Sequence, residues 1–284
     1  MNKPVTFGGI PPQFASAEAA AVWLLSIPYD GTSTWGKGAD LGWQAFLEAA
    51  ENMELYDRET DSEVYRQGIH LLPPLTENRD PESVYRAVLA KTKELLTHDK
   101  LLTFFGGEHA ISIGVIEAFG DHYPQLNVLQ LDAHADLRPS YLGSPYNHAC
   151  ALHAASQRNR LIQVGLRSMD RSETPYLREG HYFLAEEMYG QQDWMEESLR
   201  LIDGPVYLTI DLDVLDPGIM PATGTPEPGG LDWNTLLRYL RKLFQQHQVV
   251  GFDLVELAPI EGLPAPNFLA AKLYYKLLSY YFHG

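Results

Sequence analysis

The chain has 284 residues, with 21 lysines and arginines against 37 aspartates and glutamates, a formal net charge of −16. That balance argues against a nucleic-acid or anionic-membrane partner, which would be repelled, and suits a cationic partner or no charged one. A single cysteine excludes a disulfide framework and a cysteine-rich zinc site, and with no leader-like segment or apolar run of ~18 residues the expectation is a cytoplasmic globular protein.

In chain order, short apolar runs predict strands at Val22–Ile27, Leu101–Phe105, Asn127–Leu131, Leu161–Val164, Val206–Ile210 and Val249–Leu254. Runs that are apolar throughout, rather than alternating, suit strands buried on both faces of a parallel sheet. Amphipathic stretches between them predict helices, among them Pro81–Leu96, with Pro81 in the first position, and Leu231–Gln246, with Asp232 as cap. The alternation predicts an α/β doubly wound fold. Gly- and Pro-rich segments at 28–42, 138–147 and 214–230 read as long loops. With no repeat or composition change, one domain over 1–284 is expected.

Polar clusters stand where apolar runs end: Gly106-Gly107-Glu108-His109, Asp132-Ala133-His134-Ala135-Asp136 and Asp211-Leu212-Asp213. Open parallel sheets bind ligands at the carboxyl ends of their strands, so the three clusters are placed to converge. In an extended segment Asp132, His134 and Asp136 share one face, and two adjacent aspartates such as 211 and 213 repel unless a cation holds them. With His109 the set is two imidazoles and four carboxylates. That is too many for one tetrahedral zinc and suits two metal ions ~3.5–4 Å apart. Oxygen-rich ligation without thiolate favours manganese, two per subunit. Four carboxylates cancel two divalent ions, and a bridging hydroxide would leave a charge that a monocation neutralises.

Those three clusters resemble signatures of the ureohydrolase family, which holds arginases and agmatinases. Pro221–Leu231, reading Pro-Ala-Thr-Gly-Thr-Pro-Glu-Pro-Gly-Gly-Leu, and Asp253-Leu254-Val255-Glu256-Leu257-Ala258-Pro259 resemble its later signatures, in order. Ile27–Thr34 resembles the agmatinase-type end of the first strand. The resemblance implies a three-layer α/β/α, arginase-like fold with a mainly parallel central sheet. It implies one manganese on His109, Asp132, Asp136 and Asp211 and another on His134, Asp132, Asp211 and Asp213, with Asp132 and Asp211 bridging. His148 is then a proton shuttle, Asp136 a proton holder, Glu256 the carboxylate that orients the guanidinium, and Thr225 a pocket hydroxyl.

The implied reaction is attack of a metal-bridging hydroxide on a small cationic guanidino substrate, releasing urea and an amine. The pattern after the third cluster, with Arg138 where arginases carry an asparagine, is similar to agmatinases, and Asp170 is placed to meet a distal cation. Agmatine is therefore the expected substrate, giving putrescine. Arginine or another amidine is the alternative within the family, and a metal-stabilised polyamine-binding scaffold the non-enzymatic one. Family members imply a homo-oligomer, trimer or hexamer. The chain departs from the agmatinase pattern at Asp40 and Trp43, and at Glu108 and Ala110, where aspartate and serine are commoner.

Overall fold

The structure, a computed structural model, describes residues 5–191 and 193–284. Eight strands form one sheet: β1 (Val22–Ile27), β2 (Ile69–Leu71), β3 (Leu101–Gly106), β4 (Asn127–Leu131), β5 (Arg160–Leu166), β6 (Tyr182–Leu184), β7 (Val206–Asp211) and β8 (Val249–Val255). Their order is β2-β1-β3-β8-β7-β4-β5-β6, and every pairing is parallel. All six predicted strands are present. The two that the apolar runs do not announce, β2 and β6, are three-residue strands at the sheet's edges, too short and too exposed to carry a pattern.

The helices are α1 (Gly42–Ala50), α2 (Pro81–Leu95), α3 (Ile111–His122), α4 (His153–Arg158), α5 (Ala185–Met188), α6 (Asp193–Arg200), α7 (Trp233–Gln246) and α8 (Ala265–His283). Alternate strand residues supply two cores on opposite faces of the sheet. Val22, Leu24, Leu208 and Leu254 join Phe46 of α1, Leu199 of α6, Leu240 of α7 and Tyr274 of α8. Trp23, Leu25 and Tyr207 join Val88 of α2, Phe119 of α3 and Ala155 of α4. This is the expected α/β/α sandwich. Truncating Phe252, fully buried in the first core, to alanine would cost about 3–5 kcal/mol.

Asp80 caps α2 by accepting from Ser83 N at 2.8 Å, ahead of Pro81 at the first helical position. Asp232 caps α7 in the same way, from Thr235 N at 2.9 Å. The helix accordingly starts at Trp233, not at the predicted Leu231, whose N–H is spent on Val214 O at 2.9 Å. Among the described residues no helix is long and apolar enough to cross a membrane.

The strand order is what builds the site. The chain leaves β3 through α3 and enters β4 across two sheet positions that β8 and β7 fill later. The loops after β3, β8, β7 and β4 therefore open side by side at one edge of the sheet, where the crossover direction changes.

Candidate active site

His109 follows β3, Asp132 follows β4, Asp211 ends β7 and Glu256 follows β8. Their strands are neighbours, so side chains scattered over almost 150 residues meet. His109 Nδ1 lies 3.0 Å from Asp132 Oδ2, 3.1 Å from Asp136 Oδ2 and 3.5 Å from Asp211 Oδ2. His134 Nδ1 lies 2.9 Å from Asp213 Oδ2 and 3.7 Å from Asp132 Oδ1. Two sets emerge in which every ligand atom is within 4.8 Å of the others: His109, Asp132 and Asp211, and Asp132, His134 and Asp213. Asp132, fully buried, belongs to both. Asp211 falls in the first set alone, and Asp136 joins through its approach to His109.

The local backbone differs from a continued strand. β4 stops at Leu131, and Asp136 adopts φ +53°, a left-handed conformation that aspartate tolerates better than most residues. That turn, not simple alternation, aims Asp136 at His109, while Ala133 and Ala135 are fully buried beneath the cluster. Asp211 and Asp213 also depart from extended spacing, because Leu212–Val214 forms a 3-10 turn. Asp211 Oδ1 caps that turn by accepting from Asp213 N at 2.8 Å, which leaves Oδ2 for His109. Capping and site roles thus fall to different oxygens of one residue.

Each histidine has one nitrogen committed away from the carboxylates or turned to the cavity. His109 Nε2 bonds Thr209 Oγ1 at 2.9 Å, and Thr209 donates to Asp253 Oδ1 at 2.6 Å. Asp253 Oδ2 takes hydroxyls from Ser112 and Tyr207 at 2.9 and 2.8 Å. This chain makes His109 Nε2 the donor, so that a bound metal ion would meet the Nδ1 lone pair on the carboxylate side. Nothing in the sequence pattern singles out Thr209, and Asp253 is visible only as part of a motif without a stated role.

His148 and Glu256 face the same cavity, of about 270 Å³, together with Thr225, Arg138 and Asp170. Glu256, at φ +69°, accepts from the His109 N–H at 2.6 Å. The segment after Asp136 runs beside the His148 loop through Arg138 N to Ala149 O at 3.1 Å and Leu152 N to Asp136 O at 3.0 Å. Arg138 lies over the Tyr141 ring, 4.4 Å from its centroid, with Asp170 and Glu173 each 3.8 Å away. Asp170 Oδ1 is occupied as a cap, accepting from Ser172 N at 2.9 Å. Its other oxygen faces Arg138, so both rim residues are already partnered to each other.

Glu173 is the acid that the sequence reading overlooks. It is buried and accepts from Leu137 N at 2.8 Å and Asp170 N at 2.7 Å, pinning the rim. The capping-box spacing from Asp170 to Glu173 is the signal that could have found it. Arg167 holds the opposite lip by donating to Asp213 O at 2.6 Å and Glu227 O at 2.8 Å. Other polar residues near the site are structural. Asp216 accepts from Gly218 N and Gly229 N in a turn, His153 bonds Leu137 O, and Cys150 is buried.

The electrostatics describe a cluster short of positive charge. Burial, then repulsion from Asp132, pushes Asp136 up to about 7. Burial, then Asp213 and Asp132, drives Asp211 well above the usual range. Burial opposes a charge on His109 and His134, yet the surrounding carboxylates raise both, His134 to about 12. Asp132 goes the other way: burial is outweighed by the two imidazoles, which hold it low. Protons here do the work that metal ions would do. The donor set fits two divalent ions. The most direct sign is His109 Nδ1, a buried nitrogen that no described residue hydrogen-bonds although three carboxylates surround it.

Comparison with known proteins agrees. The arginase family model matches residues 20–279. The N(1)-aminopropylagmatine ureohydrolase of Synechocystis sp. is 38% identical over 99% of this chain and 97% of that protein. The protein of that name from Thermus thermophilus is 32% identical over 93% and 92% of the two chains. The crystal structure of agmatine ureohydrolase of Thermoplasma volcanium superposes with a TM-score of 0.86 at 30% identity, covering 94% of this chain and 91% of that one. A resident of this fold with two linked ligand sets on neighbouring strand ends, this chain belongs to the arginase family.

Proposed function

We propose that the protein hydrolyses the guanidino C–N bond of a cationic alkylguanidine, with two manganese ions per subunit, releasing urea and an amine. The observation that carries the reading is the sharing of buried Asp132 between two ligand sets, beside Glu256 and His148 in one cavity. Bound manganese supplies a water nucleophile that is ionised near neutral pH and positive charge for the developing tetrahedral centre. The chain's own groups do the rest. Glu256, anchored by the His109 N–H, pairs with the guanidinium and holds its carbon towards the cluster. Asp136 takes a proton from the attacking water, and His148 delivers one to the departing amine nitrogen. Burial lowers His148 below the ordinary imidazole value, so it rests neutral and parts readily with a proton once charged. Guanidinium is a weak electrophile, and a metal-activated water suits it better than a serine or cysteine nucleophile.

The substrate is a guanidinoalkylamine. Agmatine, expected from the sequence, and N(1)-aminopropylagmatine present the same reacting end, and the second adds a further cation at the far end. The names of the Synechocystis and Thermus relatives support the longer substrate. We rank N(1)-aminopropylagmatine first and agmatine second. The reading includes a single domain over 1–284 and a cytoplasmic trimer or hexamer.

The test is urea release by manganese-loaded protein from both amines, arginine and guanidinobutyrate in parallel. The amines should win in kcat/KM. Arginine or guanidinobutyrate winning would keep hydrolysis and discard the amine preference. Silence on all four with two metals bound would leave a polyamine-binding scaffold.

A further inference from the structure

Two motifs meet without a role in the scheme above. Gly107 carries no side chain, and a Cβ there would stand 1.9 Å from Tyr29 O, so only glycine lets the end of β3 lie against the 27–29 segment. Gly107 N and Glu108 N bond Ile27 O and Tyr29 O at 3.1 and 2.8 Å. This places the fully buried Glu108 beneath the loop that carries Thr32 and Ser33. Glu108 Oε2 accepts from Thr32 N at 2.7 Å, Ser33 N at 2.8 Å and Ser33 Oγ at 3.1 Å. Its Oε1 takes the Thr32 hydroxyl at 2.5 Å. Thr32 Oγ1 in turn lies 3.0 Å from both His148 N and His148 Nδ1.

The directions follow. Two backbone N–H groups and the Ser33 hydroxyl converge on Oε2 and stabilise the ionised carboxylate, which has no proton to give, so the Thr32 hydroxyl donates to Oε1. Thr32 Oγ1 then has only lone pairs left for His148, and both the backbone N–H and Nδ1–H must donate to them. We propose that Thr32 and Glu108 are positioning residues that lock His148 in the Nδ1–H tautomer, leaving Nε2 as the atom that exchanges protons in the cavity. This rests on the proposed hydrolysis for its consequence, and on geometry alone for the tautomer. Glu108→Gln reverses the chain: the amide NH₂ donates to Thr32, the Thr32 hydroxyl donates to Nδ1, and the proton moves to Nε2.

The tautomer is read by solid-state ¹⁵N spectra of histidine-labelled protein loaded with diamagnetic zinc, the His148 signals being those lost in His148→Gln. The wild type should show protonated Nδ1 and bare Nε2, and Glu108→Gln the opposite. Protonated Nε2 in the wild type overturns the proposal. In turnover of the manganese form, Thr32→Val and Glu108→Gln should each lower kcat about 10²-fold with KM and metal content within about twofold, as expected for a misplaced imidazole. Thr32→Ser, which keeps the hydroxyl, should stay within about threefold of wild type. Losses confined to KM or metal content, or an equal loss in Thr32→Ser, also overturn it. A wild type inactive on every guanidine sinks the hydrolase reading, while the spectra still decide the tautomer.

Discussion

Two acidic clusters in this chain have opposite fates, one at the rim of a helix with Asp57 buried and Glu59 exposed, the other at the strand ends. Asp57 and Glu59, in the loop before β2, receive Lys276 of α8: its Nζ donates to Asp57 Oδ1 at 3.1 Å and Glu59 Oε2 at 2.5 Å. Tyr280 adds a hydroxyl to Glu59 at 2.8 Å. Burial would raise both acids, yet Lys276 outweighs it and both lie below their ordinary values. At the strand ends, four aspartates gather with only two imidazoles, and Asp136 and Asp211 are pushed up. Where the chain supplies its own cation, the carboxylates are a brace between a loop and a helix. Where it does not, they form a receptacle for one from outside.

The largest effect that would break this contrast is at Asp132. Asp132→Ala should remove both ions and at least about 10³-fold of kcat/KM, since one residue serves both sets. Elemental analysis still finding two ions per chain would end the sharing. Next comes the brace. Lys276→Met leaves Asp57 buried without a counter-charge and should destabilise the fold by about 3 kcal/mol in denaturant titration. Metal content and turnover per folded molecule should be unchanged, and a loss of either would link the two clusters.

His148→Gln sharpens the comparison by separating charge storage from chemistry. Both metals should stay while kcat falls about 10²-fold, and unchanged kinetics would remove His148 from the mechanism. Asp253→Asn should weaken manganese binding about 10–100-fold in a competition titration, because it loosens the hydroxyl chain that orients His109. Wild-type affinity would show that His109 is held by packing alone.

The smallest effect is a pH dependence. With Asp57 and Glu59 depressed below 3.8 and 4.5, the unfolded chain binds more protons than the folded one in acid. The brace's stabilisation is therefore complete above those values and is lost as pH falls through the folded ones. Thermal melts of wild type should decline below pH ~4.5 more steeply than those of Lys276→Met, and parallel profiles would contradict the assignment.

The strand cores, the alternation of strands and helices and the candidate ligand residues were legible in the sequence because they depend on local patterns. An apolar run buried on both faces looks the same wherever the sheet places it, and Asp132, His134 and Asp136 are adjacent in sequence. The tertiary structure decided everything that needs distant segments to meet. Strand order alone sets β3, β8, β7 and β4 side by side, joining clusters whose sequence separation says nothing of distance. Left-handed backbone at Asp136 and Glu256 aims two carboxylates that alternation would not have placed there. Thr32, Thr209, Glu108 and Glu173 were not assigned roles because a hydroxyl or a buried acid acquires one only from its neighbours. Composition showed only an excess of acid; the fold determined that Lys276 satisfies one cluster and leaves the other open, because a counter-charge acts only where tertiary packing brings it.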